Sequence, residues 1–297
     1  MNRPDFAIVG APRAGTTSLA RWLARQAGCA ISDPKEPFTF VGDDLSNLRQ
    51  EQGVSSIEEY KALFERGKRA GHKCGEASTL YLVSNGAIQR LIDFAPGIRI
   101  IILVRDPTDV VVSFFNQMRL MRYEDRGLEA AWCAAVDGRP PPLAFPDRLM
   151  ADYPRIGSLG SQLRQAMEIA PAESILVETF DDLTQDTEAA LRRIVQHGGL
   201  PAATDFTLDA TNQSRVARGT LPEQLRSRRA RAVTRRLKSA LPGPVVERLR
   251  HSRDSLLYKP TDPVVAEGDV KAMIRDHFTS EVLLLEELIG RPLRRPQ

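Results

Sequence analysis

The chain has 297 residues, 42% hydrophobic and 27% charged, which suits a globular α/β protein with a sizeable core. Its three scattered cysteines, Cys29, Cys74 and Cys133, exclude a disulfide framework and a cysteine-built zinc site, and point to a reducing compartment. Net charge is +3, yet twelve of the 41 basic and two of the 38 acidic residues fall between Arg215 and Arg253, leaving −7 on the remainder. That local basic stretch suits an anionic cofactor, an acidic acceptor or a membrane surface, or is a solvated helix face.

The chain begins with a buried strand, Phe6–Val9, a small-residue loop from Gly10 to Gly15, and a helix from Thr16 to Gln26. Glycines at both ends of the loop let the backbone turn tightly and approach a ligand. Thr16, Thr17 and Ser18 place hydroxyls where the helix N-terminus favours an anion. Pro34 and Pro37 then bracket Lys35-Glu36 in a rigid loop. A surface loop with a helix around Ile57–Phe64 precedes a second parallel strand, Lys73–Ser78. A helix over Asn85–Phe94 leads to the clearest buried strand, Arg99–Val104.

Arg105-Asp106-Pro107 follows, with Asp106 as N-cap and Pro107 as first residue of a helix reaching about Met121. Further helices are expected over Glu124–Val136, Ile156–Ile169 and Glu188–His197, a strand over Ser174–Glu178, and a long loop over Arg139–Tyr153. Asn212–Thr220 is predicted as a polar, basic loop. The remainder from Pro222 is predicted to be helical, ending in one long helix, Val264–Ile289. Alternating strands and helices imply right-handed crossovers and a parallel sheet. No apolar run is long enough to span a membrane, and the first strand leaves no room for a signal peptide, so a soluble cytoplasmic protein is expected.

The first loop has Walker A spacing at Gly10 and Gly15, but Thr16 stands where the lysine belongs, and the cation has moved to Arg13. Without that lysine, ordinary nucleoside triphosphate chemistry lacks its charge clamp. Gly10-Ala11-Pro12-Arg13-Ala14-Gly15-Thr16-Thr17 instead resembles the 5′-phosphosulfate loop of sulfotransferases that use 3′-phosphoadenosine 5′-phosphosulfate (PAPS). Lys35-Glu36-Pro37-Phe38-Thr39-Phe40 resembles the K-E-P-x-F-F segment of the glycan members. Arg105-Asp106-Pro107 with Ser113 resembles the 3′-phosphate motif, and Phe180-Asp181-Asp182-Leu183 a later family segment.

The resemblance implies a P-loop-like, three-layer α/β fold with a central parallel sheet flanked by helices. It implies one domain over 1–297, with 213–297 a mainly helical, basic C-terminal part packed on it. It implies sulfuryl transfer from PAPS to a hydroxyl, or an amine, of a carbohydrate, glycolipid or natural product, leaving adenosine 3′,5′-bisphosphate. Arg13, Ala14, Gly15, Thr16, Thr17 and Ser18 would hold the 5′ end, and Arg105 and Ser113 the 3′-phosphate. Arg215 and Arg218 would close over the nucleotide. Glu36 would be the base, Arg13 the electrostatic stabiliser of the leaving phosphate, and Lys35 an orienting cation.

No metal and no nucleic-acid partner is expected. The segment Gly75–Tyr81 departs from the family's G-E-K-[ST]-P-x-Y: Ala77 replaces the lysine and Leu80 the proline, which puts a heparan-type acceptor in doubt. Two other readings remain open from the residues alone: a nucleotide kinase or NTPase with a degenerate loop, and a non-catalytic nucleotide-binding module.

Overall fold

The computed structural model describes residues 2–54, 56–203, 205–208, 215–217, 258–260 and 268–293. Five strands form one parallel sheet: β1 (Phe6–Gly10), β2 (Cys29–Ile31), β3 (Lys73–Glu76), β4 (Arg99–Val104) and β5 (Ile175–Thr179). Their spatial order is β2-β3-β1-β4-β5, so β1 is central and the winding reverses beside it. Every residue of β1, and all of β4 after Arg99, is buried, as expected of strands covered on both faces.

Helices flank the sheet as α1 (Thr16–Arg25), α2 (Ser46–Gln52), α3 (Ile57–Arg69), α4 (Ala87–Phe94), α5 (Pro107–Leu120), α6 (Leu128–Val136), α7 (Tyr153–Gly157), α8 (Leu159–Ile169), α9 (Phe180–Gln185) and α10 (Thr187–His197). Two more, α11 (Gly268–His277) and α12 (Thr279–Ile289), follow late in the chain. On α1, Leu19, Trp22 and Leu23 are buried, the stripe that the spacing predicts. Asp106 caps α5 by accepting from the N–H groups of Thr108 (2.8 Å) and Asp109 (3.3 Å), with Pro107 at the first helical position.

Several boundaries differ from expectation for local reasons. β2 is a three-residue edge strand, too short to stand out in the sequence. The helix expected from Glu124 starts at Leu128, because Glu124 is buried and occupied by the Arg126 guanidinium (2.8 Å to each oxygen) and the Tyr153 hydroxyl (3.0 Å). The helix expected over Ile156–Ile169 breaks at Ser158, whose ψ of 56° is not helical and whose hydroxyl donates back to Pro154 O (2.8 Å).

The long C-terminal helix breaks at Phe278. That ring is fully buried against Gly157, where a Cβ would lie 2.3 Å from it, and α12 then runs along α8, with Glu281 accepting from Ser161 N (2.8 Å) and Oγ (2.6 Å). Within the expected 212–220 loop, β6 (Arg215–Ala217) pairs antiparallel with β7 (Tyr258–Pro260) and lies beside α5. Most of the arginine-rich segment lies outside the described residues.

The sheet interior is fitted tightly where β1 meets β3. Phe6 pairs with Gly75, and a Cβ at Gly75 would fall 2.3 Å from the Phe6 ring. Gly75→Ala is expected to lower unfolding free energy by about 1–3 kcal/mol through overpacking. Urea denaturation of the two proteins, with an unchanged m-value, checks this.

Candidate active site

All five parallel strands deliver their carboxyl ends to one edge, and the chemistry-bearing residues follow those ends. After β1, Arg13 takes a φ of 65° and Gly15 a φ of 90°. The left-handed region is uncommon for a residue with a side chain, and here it turns the loop through a tight arc. At Gly15 an added Cβ would sit 3.2 Å from the Phe180 ring, a tight fit between the loop and α9. Ala14 and Thr16 are buried, and Thr17 and Ser18 are half-buried. α1 opens without a side-chain cap and without an acidic residue in its first turn. Its first N–H groups and the positive end of its dipole therefore face the loop, ready for an anion.

The ends of β4 and β5 complete a basic wall. The Arg105 guanidinium lies 4.5 Å over the Phe180 ring, pairs with Asp109 (3.3 Å) and donates to the carbonyl of Arg13 (3.4 Å). Arg13 Nε donates to Ser113 Oγ on α5 at 2.9 Å. Burial and the neighbouring Arg105 hold the Arg13 guanidinium below its ordinary pKa, with Glu36 pulling the other way. Two cations are thus brought together on one surface.

After β2, the loop through Pro34 and Pro37 carries Lys35 and Glu36 back to the same edge. Lys35 Nζ lies 2.8 Å from Glu36 Oε1 and donates to Thr17 Oγ1 at 3.4 Å, bridging the carboxylate to the start of α1. Thr79 Oγ1 also donates to Glu36 (3.3 Å). Arg13, Thr16, Thr17 and Glu36 line a common cleft.

The structure therefore gathers Arg13, Ala14, Gly15, Thr16, Thr17, Ser18, Lys35, Glu36, Arg105 and Ser113 at one sheet edge. Ser113 is engaged by Arg13, so Arg13, Ser113 and Arg105 form one continuous wall. Arg215 lies on β6, where only the backbone is described, and Arg218 falls outside the described residues.

The sulfotransferase domain matches residues 3–236. The chain belongs to the sulfotransferase family. Among solved structures it is similar in fold to a sulfotransferase from Alicyclobacillus acidocaldarius, at 22% identity, over 98% of this chain and 97% of that one, with a TM-score of 0.66. Weaker similarities are to the sulfotransferase domain from the curacin biosynthetic pathway (13% identity, 69% of this chain and 76% of that one, TM-score 0.44) and to mouse sulfotransferase SULT7A1 complexed with PAP (19%, 67% and 60%, TM-score 0.43). No curated protein matches in sequence.

One residue of this sulfotransferase site escaped sequence reasoning. Glu76, the last residue of β3, is fully buried. Its carboxylate accepts from Ser78 Oγ (2.5 Å) and from the Tyr60 hydroxyl. Ser78 Oγ in turn accepts from Phe38 N (3.1 Å), and the Tyr81 hydroxyl from Phe40 N (3.2 Å). The network pins the backbone immediately after Glu36, where Phe38 holds a φ of 49°. The signal was Glu76-x-Ser78 with Tyr81, two polar groups and a phenol at a strand end. A sequence gives no measure of the burial that makes them a unit.

Burial pushes the Glu76 carboxyl up to about 7 from an ordinary 4.5, its hydroxyl donors opposing and the charge of Glu36 adding to the rise. A raised carboxyl binds its proton more tightly folded than unfolded. Its stabilising contribution is therefore complete below the unfolded value and is lost as pH rises through the folded one. Relative to wild type, Glu76→Gln should gain about 3 kcal/mol of unfolding free energy between about pH 4 and pH 8. Paired urea titrations across that range read this directly, and a flat difference would mean that Glu76 titrates alike folded and unfolded.

Proposed function

We propose that this sulfotransferase moves a sulfuryl group from PAPS to the hydroxyl of an acceptor bound in the cleft beside Glu36. The observation that carries the reading is the convergence of Arg13, Arg105 and Ser113 on one wall next to the uncapped N-terminus of α1. Facing guanidinium groups repel until an anion lies against them, and a nucleotide with phosphates at both ends of its ribose answers that need. Gly15 adds a fit of shape, since its φ of 90° suits glycine and lets the loop backbone turn toward a phosphate.

When bound, the nucleotide supplies an activated sulfuryl group, which forms a bond to the acceptor oxygen as its bond to the 5′-phosphate oxygen breaks. The loop amides with Thr16, Thr17 and Ser18 would hold the 5′ end, and Arg105 with Ser113 the 3′-phosphate. Arg13 stays charged through the reaction and offsets negative charge that builds on the departing phosphate. Glu36 takes the acceptor proton. Lys35, fixed between Glu36 and Thr17, keeps that carboxylate turned toward the phosphate loop and adds positive charge beside it.

Adenosine 3′,5′-bisphosphate should raise the melting temperature by several degrees at saturation, and ATP with magnesium should not. The opposite pattern would favour a kinase or NTPase. Glu36→Gln should lose at least about a hundredfold in kcat while keeping the bisphosphate-induced shift. Arg105→Ala should weaken bisphosphate binding about ten- to a hundredfold, measured by calorimetry.

A further inference from the structure

The face of α5 turned to the basic wall carries two polar side chains one turn apart, Asp109 and Ser113. Ser113 is met by Arg13. Asp109 is met twice. Its Oδ2 lies 3.3 Å from Arg105 Nη2, and its Oδ1 lies 3.3 Å from Nζ of Lys271 on α11. One carboxylate thus joins the cation that follows β4 to a cation late in the chain. Arg105, Asp109 and Lys271 keep only 27%, 18% and 35% of their side-chain surface exposed, so solvent screens them in part.

Packing elsewhere on α11 fixes where Lys271 stands. Ile274, the next inward position, is fully buried. Phe278, just past the end of the helix, is fully buried against Gly157, and the Trp132 ring meets His277 and Phe278 edge-on at 5.1 and 5.6 Å between centroids. The lysine is therefore delivered to α5 by apolar contacts that do not depend on its charge.

Arg105 and Asp109 alone would make a neutral pair. A phosphate dianion laid against Arg105 would meet that carboxylate at close range, and the repulsion would offset much of the attraction. Lys271 changes the sum: two cations now share one carboxylate, and the corner stays positive. The other carboxylate here, Asp106, is taken up by the N–H groups of Thr108 and Asp109.

Resting on the reading that Arg105 holds the 3′-phosphate, we infer that Lys271 neutralises Asp109 and so sets the preference for a nucleotide with a 3′-phosphate over one without. It is a positioning residue, acting through Asp109 on Arg105. Asp109 can then orient the guanidinium without turning a phosphate away. The late helix pair thereby takes a part in donor recognition.

The test measures, by calorimetry on the full chain, the affinities for adenosine 3′,5′-bisphosphate and for adenosine 5′-monophosphate, which lacks only the 3′-phosphate. Lys271→Met should weaken the bisphosphate about three- to tenfold and leave the monophosphate within about twofold, so that the preference falls. Lys271→Gln is the second variant should Lys271→Met fold poorly, with the same result expected. Lys271→Arg, which keeps the charge, should keep the preference. Adding Asp109→Asn to Lys271→Met should restore it, because the amide oxygen still accepts from Arg105 while the negative charge is gone. If Lys271→Met weakens both nucleotides alike, or neither, the ion pair only fastens α11 to α5. That outcome, or a double variant that stays weak, overturns the inference and leaves the sulfuryl-transfer reading standing. A wild-type protein that binds the two nucleotides equally overturns the placing of the 3′-phosphate on Arg105, and this inference with it.

Discussion

Arg13 and Arg105 are brought to one surface by the fold and by the partners of each side chain. Arg13 takes a left-handed backbone position in the loop after β1, and that loop passes close to the Phe180 ring at Gly15. Arg105 is held by that same ring, by Asp109 and by the carbonyl of Arg13 itself. Bringing two cations together raises the energy of the empty protein, and an anion recovers it. Because the donors are fixed beforehand, little reorganisation is left for the moment when an anion arrives. The sheet makes this possible: β1 and β4 are neighbours, so the residues that follow them emerge side by side.

A second constraint acts on the loop that carries Glu36. Glu36 sits on a loop, and loops are poor places to fix a carboxylate. Here the loop is tethered from beneath by the Glu76 network through Phe38 and Phe40, and from above by Lys35 on Thr17. A buried polar network of this kind rigidifies only when its members are satisfied, and each oxygen of Glu76 has a hydroxyl donor. The same residue that stiffens the loop therefore ties its stability to pH. Aromatic packing adds to the tether: Phe40 meets Tyr60, Tyr81 and Phe94 within 5.0–6.1 Å between ring centroids.

The parts of this architecture visible in the sequence are those with a local cause. β4 shows itself because Ile100 to Val104 are all apolar and β-favouring, and α5 because Asp106-Pro107 is a start signal that depends on no distant group. The loop after β1 is legible for the same reason: glycine spacing and a shifted cation are properties of a few adjacent residues. What stayed hidden is set by contacts across the chain. The Phe278 break goes with its ring packing on Gly157 and with α12 lying along α8, and nothing near Phe278 in the sequence announces either. β2 is a strand only because β3 offers it a ladder. Arg13 meeting Ser113, a hundred positions apart, is likewise decided by the juxtaposition of β1 and β4. The resemblance named these residues without fixing how they divide the work.

The two departures from the family pattern acquire a physical sense once the cleft is seen. Ala77 is fully buried, its N–H donating to the carbonyl of Lys35 at 3.0 Å. A lysine there would begin at a fully buried position and have to reach the surface to avoid burying its charge. Its absence leaves Lys35 as the cation paired with Glu36, so the carboxylate's orientation depends on one ion pair and the Thr79 hydroxyl. Leu80, where the pattern has proline, lies in the cleft wall and adds to the apolar surface that Met118 and Met150 extend.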